Sequence, residues 1–238
     1  MSPSIAAVRP SANGATTPEF WERLWRTAGL QSVGLFLVAY FVYGDQPHLR
    51  ASAEALVAFY QGDRTRIIIA AVLGGVAVLN LLWFAAALRT TLAEAGQDGW
   101  GAAATASSAA LGGVLILLVT VSAALAYSIA GSATPALLAG LNDFTWAGVV
   151  LSSFPRAMLI MAAAFGLWRA GLISNRLFAA GVAAVVLVLL GGTTWASVGF
   201  WAPDGVFSRI VSPIIGLLWI LVVSRVLLTH GPATHAAW

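Results

Sequence analysis

The neutral run Ile67–Leu88 sets a strict limit on what this chain can form. It contains 22 residues and no charged side chain, whereas a helix needs about 20 apolar residues to cross the hydrocarbon core of a bilayer. Arg64 and Arg66 precede the run, and Arg89 follows it. An apolar run of this length with arginines at both ends is typical of a membrane-spanning helix.

Five further apolar runs of similar length follow the same pattern. The sequence therefore predicts an all-α fold, a polytopic transmembrane helical bundle with six spanning helices. We place the spans at about 24–43, 67–88, 109–131, 145–168, 177–198 and 207–228. Residues 1–18 are predicted to be a disordered tail, 19–229 the transmembrane domain and 230–238 a C-terminal tail. The neutral stretch 99–142 leaves room for an extra short helix, so five or seven spans stay open.

The composition excludes several classes of function. Only 9% of the residues are charged and 60% are hydrophobic, whereas soluble domains carry about 25% charged residues. The chain has no lysine, which excludes a retinal Schiff base, and no cysteine, which excludes disulfides and thiolate chemistry. Because all three histidines lie outside the apolar runs, we expect no metal site and no cofactor. The arginines form no patch, so we expect no nucleic-acid partner.

The arginines outside the spans are distributed unevenly between the two sides. On one side lie Arg9, Arg23, Arg26, Arg89, Arg169, Arg176 and Arg225; on the other lie Arg50, Arg64, Arg66 and Arg209. Cytoplasmic loops carry the excess of basic residues. We therefore expect a multi-pass protein of the cell (inner) membrane with both termini in the cytoplasm.

Arg156 is the strongest candidate for a functional residue. It lies about halfway along the fourth predicted span, where an arginine costs at least ~2.5–3.5 kcal/mol on insertion scales. Such a side chain is expected to face the bundle interior and meet a carboxylate, a carbonyl or an anionic ligand. Pro155 cannot donate to the carbonyl of Leu151, so the helix is expected to kink beside it. A purely structural role, in which Arg156 ties helices together, stays equally open.

Four more residues are candidates for binding a ligand with Arg156. Ser152 and Ser153 lie beside the opening that Pro155 creates, and Trp146 is an aromatic neighbour in the same span. Asn80 lies at similar depth in the second span, where a side-chain amide forms a hydrogen bond to another helix or to a ligand. For Asn80, packing between helices is the favoured role.

Two carboxylates suggest an alternative chemistry. Asp143 and Asp204 lie at predicted helix ends on the external side, among aromatic residues. A carboxylic acid at an apolar, aromatic-lined end of a helix bundle would have a raised pKa and could serve as a general acid. The ordinary interpretation is that Asp143 is the N-cap of the fourth span and that Asp204 belongs to the turn Pro203-Asp204-Gly205.

Some segments resemble a known group of proteins. The run Leu81–Arg89, the pair Phe154-Pro155 and the turn Arg169–Ser174 together resemble a broad group of uncharacterised six-helix bacterial integral membrane proteins. The resemblance implies a helical bundle and no activity. In size and in carboxylates at helix ends, the chain is also similar to small membrane-bound terpenoid cyclases, but no catalytic motif matches.

These observations favour a protein that binds or translocates a small apolar or amphipathic ligand of the lipid, quinone or isoprenoid type. The first alternative is a membrane enzyme that uses Asp143 or Asp204 as a general acid on an isoprenoid-like substrate. The second is an accessory subunit of a larger membrane complex. Membrane lipid and a small hydrophobic ligand are the expected partners, and homo-oligomerisation stays open.

The absence of cysteine makes the predicted orientation easy to test. We expect Ala55→Cys, between the first two spans, to react with a membrane-impermeant maleimide in intact cells. Ala95→Cys, after the second span, should react only after the cells are lysed. Labelling of Ala95→Cys alone in intact cells would contradict the orientation.

Overall fold

The structure, a computed structural model, describes residues 25–132 and 134–229. These residues are helical with no β-strand among them, which agrees with the predicted all-α class. The two predicted tails, 1–18 and 230–238, lie outside the described residues.

Eight α-helices are assigned within the described ranges. They are α1 (Ala28–Tyr43), α2 (Ala53–Gly62), α3 (Arg64–Glu94), α4 (Asp98–Tyr127), α5 (Pro135–Leu151), α6 (Ser153–Arg169), α7 (Asn175–Gly191) and α8 (Ser212–Thr229). A short 3-10 helix (Ile129–Gly131) follows α4, and a π-helical segment (Phe207–Val211) leads into α8.

Four helical stretches are long and apolar enough to cross a membrane. They are Arg64–Glu94, Asp98–Gly131, Pro135–Arg169 and Phe207–Thr229. Their length and composition are compatible with a membrane protein. The other two predicted spans correspond to α1 and α7, which are apolar but have only 16 and 17 residues. The prediction of six spans is therefore not confirmed.

Two helices begin earlier than the sequence patterns indicated. Helix α4 begins at Asp98, because the Ala-rich residues after it are strong helix formers. Helix α5 begins at Pro135, a residue suited to the first turn. The N-cap of α5 is Thr134, so the interpretation of Asp143 as a helix cap was wrong: Asp143 lies well inside α5.

The long helices pack in a closed ring. Each contacts the next in the order α1, α3, α4, α6, α7, α8 and back to α1. Helix α5 continues into α6 and packs against α4. Helix α2 covers one end of the ring, where Leu56 and Tyr60 are buried with Ile67, Leu125 and Leu138. We call this the α2 end of the bundle.

A second cluster of buried apolar residues fills the bundle away from the α2 end. It includes Phe84 of α3 and Trp219 of α8. Glycine permits the closest approach here: a Cβ on Gly29 would lie 2.1 Å from Ser224 Oγ and 2.6 Å from the Phe84 ring. Helices α1, α3 and α8 therefore meet at a point where a side chain has no room.

We expect Gly29→Ala to destabilise the protein by about 1–3 kcal/mol, because the added methyl group overpacks this contact. Gly34→Ala is the matched control in the same helix, since a Cβ there has no atom within 4 Å. Thermal unfolding of the two purified variants in detergent measures the difference. Equal midpoints for both variants would contradict the close packing.

Candidate functional site

A cavity of about 530 Å³ lies inside the bundle, lined by residues of α1, α3, α4, α5, α6 and α8. Its volume is in the range of about 300–1,000 Å³ that is common for small-molecule sites. The wall is mainly apolar. Its polar and tyrosine side chains are Tyr40, Tyr43, Gln46, Ser122, Thr145, Arg156 and Arg209. No carboxylate occurs among the described residues of the wall.

The cavity wall reaches the protein surface on one side of the bundle, which we call the lateral opening. The lining residues whose side chains are exposed are Leu37, Tyr40 and Phe41 of α1, with Ile210 and Ile214 of the π-helical segment and α8. All five belong to two neighbouring segments of the ring. The cavity is therefore accessible between α1 and α8, through an apolar and aromatic rim.

Arg156 of α6 borders this cavity and is held by two serines. Its Nη2 donates a hydrogen bond to Ser152 Oγ at 2.7 Å, and its Nη1 donates to Ser212 Oγ at 3.1 Å. Both serines are buried, with exposed fractions of 1% and 0%. Within the described part of the chain, no carboxylate lies within 4 Å of the guanidinium. Among the described residues, the two serine hydroxyls are therefore the hydrogen-bond partners of this charge.

A helix break places the first serine. Helices α5 and α6 are separated at Ser152, which donates its hydroxyl hydrogen to the Val149 carbonyl at 2.6 Å. Pro155 has no N–H for the Leu151 carbonyl, so the regular pattern cannot continue through this turn. The helix assignment is interrupted at Ser152, three residues before Pro155, and Ser152 there lies within hydrogen-bond distance of the guanidinium.

A second irregularity places the other serine. The π-helical segment Phe207–Val211 ends directly before Ser212, and such segments often occur at functional sites. One turn further on, Gly216 leaves room for the arginine, because a Cβ there would lie 2.6 Å from Arg156 Cδ. The sequence interpretation missed Ser212. No local pattern in the sequence indicates that Ser212 meets Arg156, which lies 56 residues away in the chain.

Of the predicted ligand-binding residues, only Arg156 lines the cavity, and Ser152 lies behind it as its hydrogen-bond partner. Asn80 is buried and its Nδ2 donates to the Val76 carbonyl of its own helix at 2.9 Å. Ser153 is buried against α7, where a Cβ on Gly191 would lie 2.8 Å from its Oγ. Trp146 is also buried and donates from Nε1 to the Pro47 carbonyl at 3.0 Å. Of the predicted ligand-binding residues, the structure therefore brings only Arg156 and Ser152 into contact with each other.

The α2 end of the cavity is closed by a polar network centred on Asn142. Its Oδ1 accepts hydrogen bonds from Tyr60 Oη at 3.1 Å and from Gln46 Nε2 at 3.3 Å. Gln46 also donates to Thr145 Oγ1 at 2.6 Å. Burial raises the pKa of Tyr60, so its hydroxyl stays protonated and remains a donor. This network holds Gln46, which lines the cavity, and its loop in place at the α2 end.

The two predicted acids lie outside the cavity wall. Asp204 Oδ2 lies 3.0 Å from His48 Nδ1 and accepts a hydrogen bond from the backbone N–H of Leu49 at 3.1 Å. Asp204 therefore holds the loop that contains Gln46, His48 and Leu49, which the network around Asn142 also holds. One carboxylate oxygen of Asp143 is buried without a hydrogen-bond partner among the described residues. The structure brings neither carboxylate to the space where a ligand would lie.

Comparison with protein families, with curated proteins and with solved structures finds no match for this chain.

We expect Asn142→Ala to lower the free energy of unfolding by about 2 kcal/mol or more, because buried donors of Tyr60 and Gln46 lose their acceptor. Asn175→Ala removes only a solvent-exposed hydrogen bond from Trp168 Nε1, so it serves as the control and should lower stability by less than about 1 kcal/mol. Chemical or thermal unfolding in detergent measures both. An unchanged midpoint for Asn142→Ala would show that the network contributes nothing.

Proposed function

We propose that this protein binds or translocates a small apolar or amphipathic molecule, of the lipid, quinone or isoprenoid type, inside its helix bundle. The observation that carries the proposal is the apolar cavity that reaches the guanidinium of Arg156. Binding sites for small molecules are mostly apolar concavities with a few polar groups that orient the ligand. Arg156, with Ser152 and Ser212, supplies such a polar group.

The location of the cavity favours binding over the two alternatives. An enzyme that used Asp143 or Asp204 as an acid would need a substrate space beside them, and neither residue lines the cavity. An accessory subunit needs no internal space of this size. A cavity centred on Arg156 therefore supports the binding function.

The lateral opening supports a ligand that arrives from the bilayer. Its rim consists of apolar and aromatic side chains on α1 and α8, which favour contact with lipid over water. A molecule dissolved in the membrane could enter between these two helices without crossing the polar network around Asn142.

We further propose that all six helices of the ring span the cell (inner) membrane. At 1.5 Å per residue, α1 and α7 are about 24 and 26 Å long, a little shorter than a hydrocarbon core of about 30 Å. Both belong to the same closed ring as the longer helices. The arginine distribution then places the α2 end outside the cell and both termini in the cytoplasm.

A photoreactive probe tests whether the cavity takes up an amphiphile. We expect a dodecanol that carries a diazirine to label cavity-lining peptides of the protein in nanodiscs of uncharged lipid. Leu217→Trp should reduce this labelling, because Leu217 lines the cavity and the larger ring would occupy part of the space. Peptide mass spectrometry locates the labelled residues.

Leu218→Trp is the matched control. Leu218 is the adjacent residue of α8, is exposed and does not line the cavity, so the substitution should leave the labelling unchanged. Labelling confined to the outer surface of the bundle would contradict the proposed function. Equal labelling of both variants would also contradict it.

A further inference from the structure

The cavity carries an uncompensated positive charge. Its described lining residues include two arginines, Arg156 and Arg209, and no acid. Arg209 forms an ion pair with Asp45 at the α2 end. Arg156 has no such partner among the described residues, and its hydrogen bonds go to the hydroxyls of Ser152 and Ser212. One positive charge therefore remains in the wall without a counter-ion.

An unpaired charge in apolar surroundings is costly. Taking a guanidinium out of water costs several kcal/mol, and hydroxyl dipoles recover only part of this. The cost is offset when an anion approaches closely, because Coulomb attraction is strong where water is excluded. The cavity beside Arg156 offers space for that anion, whereas a purely structural arginine would need no space.

We infer that the ligand is a single-chain amphiphile with a monoanionic headgroup, an aliphatic carboxylate, and that Arg156 binds this headgroup. The inference rests on the proposed function and specifies the chemistry of the ligand. A monoanion matches the single uncompensated charge. An aliphatic chain matches a wall built from side chains such as Leu111, Leu159 and Ile160.

The guanidinium retains the donors that a carboxylate needs. Arginine has five N–H groups, and the described residues accept only two of them, one at Ser152 and one at Ser212. The remaining N–H groups suffice for a bidentate pair, the preferred geometry between arginine and a carboxylate. The serines fix the plane of the guanidinium, and Gly216 gives its aliphatic stem room. Arg156 is therefore oriented before the ligand arrives.

The lateral opening determines where such an anion comes from. Its rim is formed by Leu37, Phe41 and Ile214, which would admit an acyl chain from the bilayer. A small water-soluble anion would need no cavity with long apolar walls. The structure therefore favours a carboxylate that is delivered from the membrane.

Two photoprobes that differ only in their headgroup test this inference. We would compare a diazirine-bearing dodecanoic acid with the matching dodecanol, each titrated onto the protein in nanodiscs of uncharged lipid at pH 8. The acid should reach half-maximal labelling of the cavity-lining peptides at a concentration roughly 10- to 100-fold lower than the alcohol, the ratio expected for hydrogen bonds to a charged group.

Substitutions then assign the preference to Arg156. Arg156→Gln should abolish the preference for the acid while labelling by the alcohol persists, and Arg156→Lys should keep part of it. Arg225→Gln, an exposed arginine outside the cavity wall, should behave like the parent. If Arg156→Gln does not fold, the comparison of acid and alcohol on the parent protein still tests whether the ligand is anionic, and Arg156→Lys tests the role of Arg156.

The outcomes separate this inference from the proposed function. Equal labelling of the cavity by acid and alcohol would overturn the anionic ligand and leave the binding function standing. A preference for the acid that survives Arg156→Gln would overturn the role of Arg156. Absence of cavity labelling by either probe would overturn both the inference and the proposed function.

Discussion

The need to satisfy every backbone hydrogen bond in apolar surroundings explains the architecture of this protein. Helices meet that need within one segment, and irregular backbone is tolerated at membrane depth only where it is buried in protein or lines a cavity. The break at Ser152 and the π-helical segment before Ser212 follow this rule. Both irregularities lie beside the guanidinium of Arg156, which they supply with its two hydrogen-bond acceptors.

The same ring of helices is tightly packed in one part and open in another. Small residues such as Gly29 let α1, α3 and α8 approach closely near Phe84. At the α2 end, a separate cluster and the network around Asn142 hold the short helix and its loop in place. The cavity contacts both clusters, since its lining includes Phe84 and Ile67. It is therefore a feature of the bundle as a whole.

The candidate site was partly predictable. An arginine within an apolar run is conspicuous because its insertion is costly, and Pro155 marks the break that positions Ser152. Asn80 and Trp146 were less predictable, because both lipid and the bundle interior are apolar and the sequence carries little signal for which way a helix faces. Ser212 is 56 residues from Arg156 in the chain, and no local pattern indicates that contact.

The sequence by itself determined the helical class, the apolar runs, the absence of lysine and cysteine chemistry and the presence of one arginine, Arg156, within an apolar run, because these follow from composition and residue order. Only the tertiary structure decided that Asp143 lies outside the cavity wall and that Ser212 meets Arg156 beside a cavity. Those features depend on how helices rotate and pack against one another. Such packing is set by contacts between residues far apart in the chain, which periodicity and spacing do not encode.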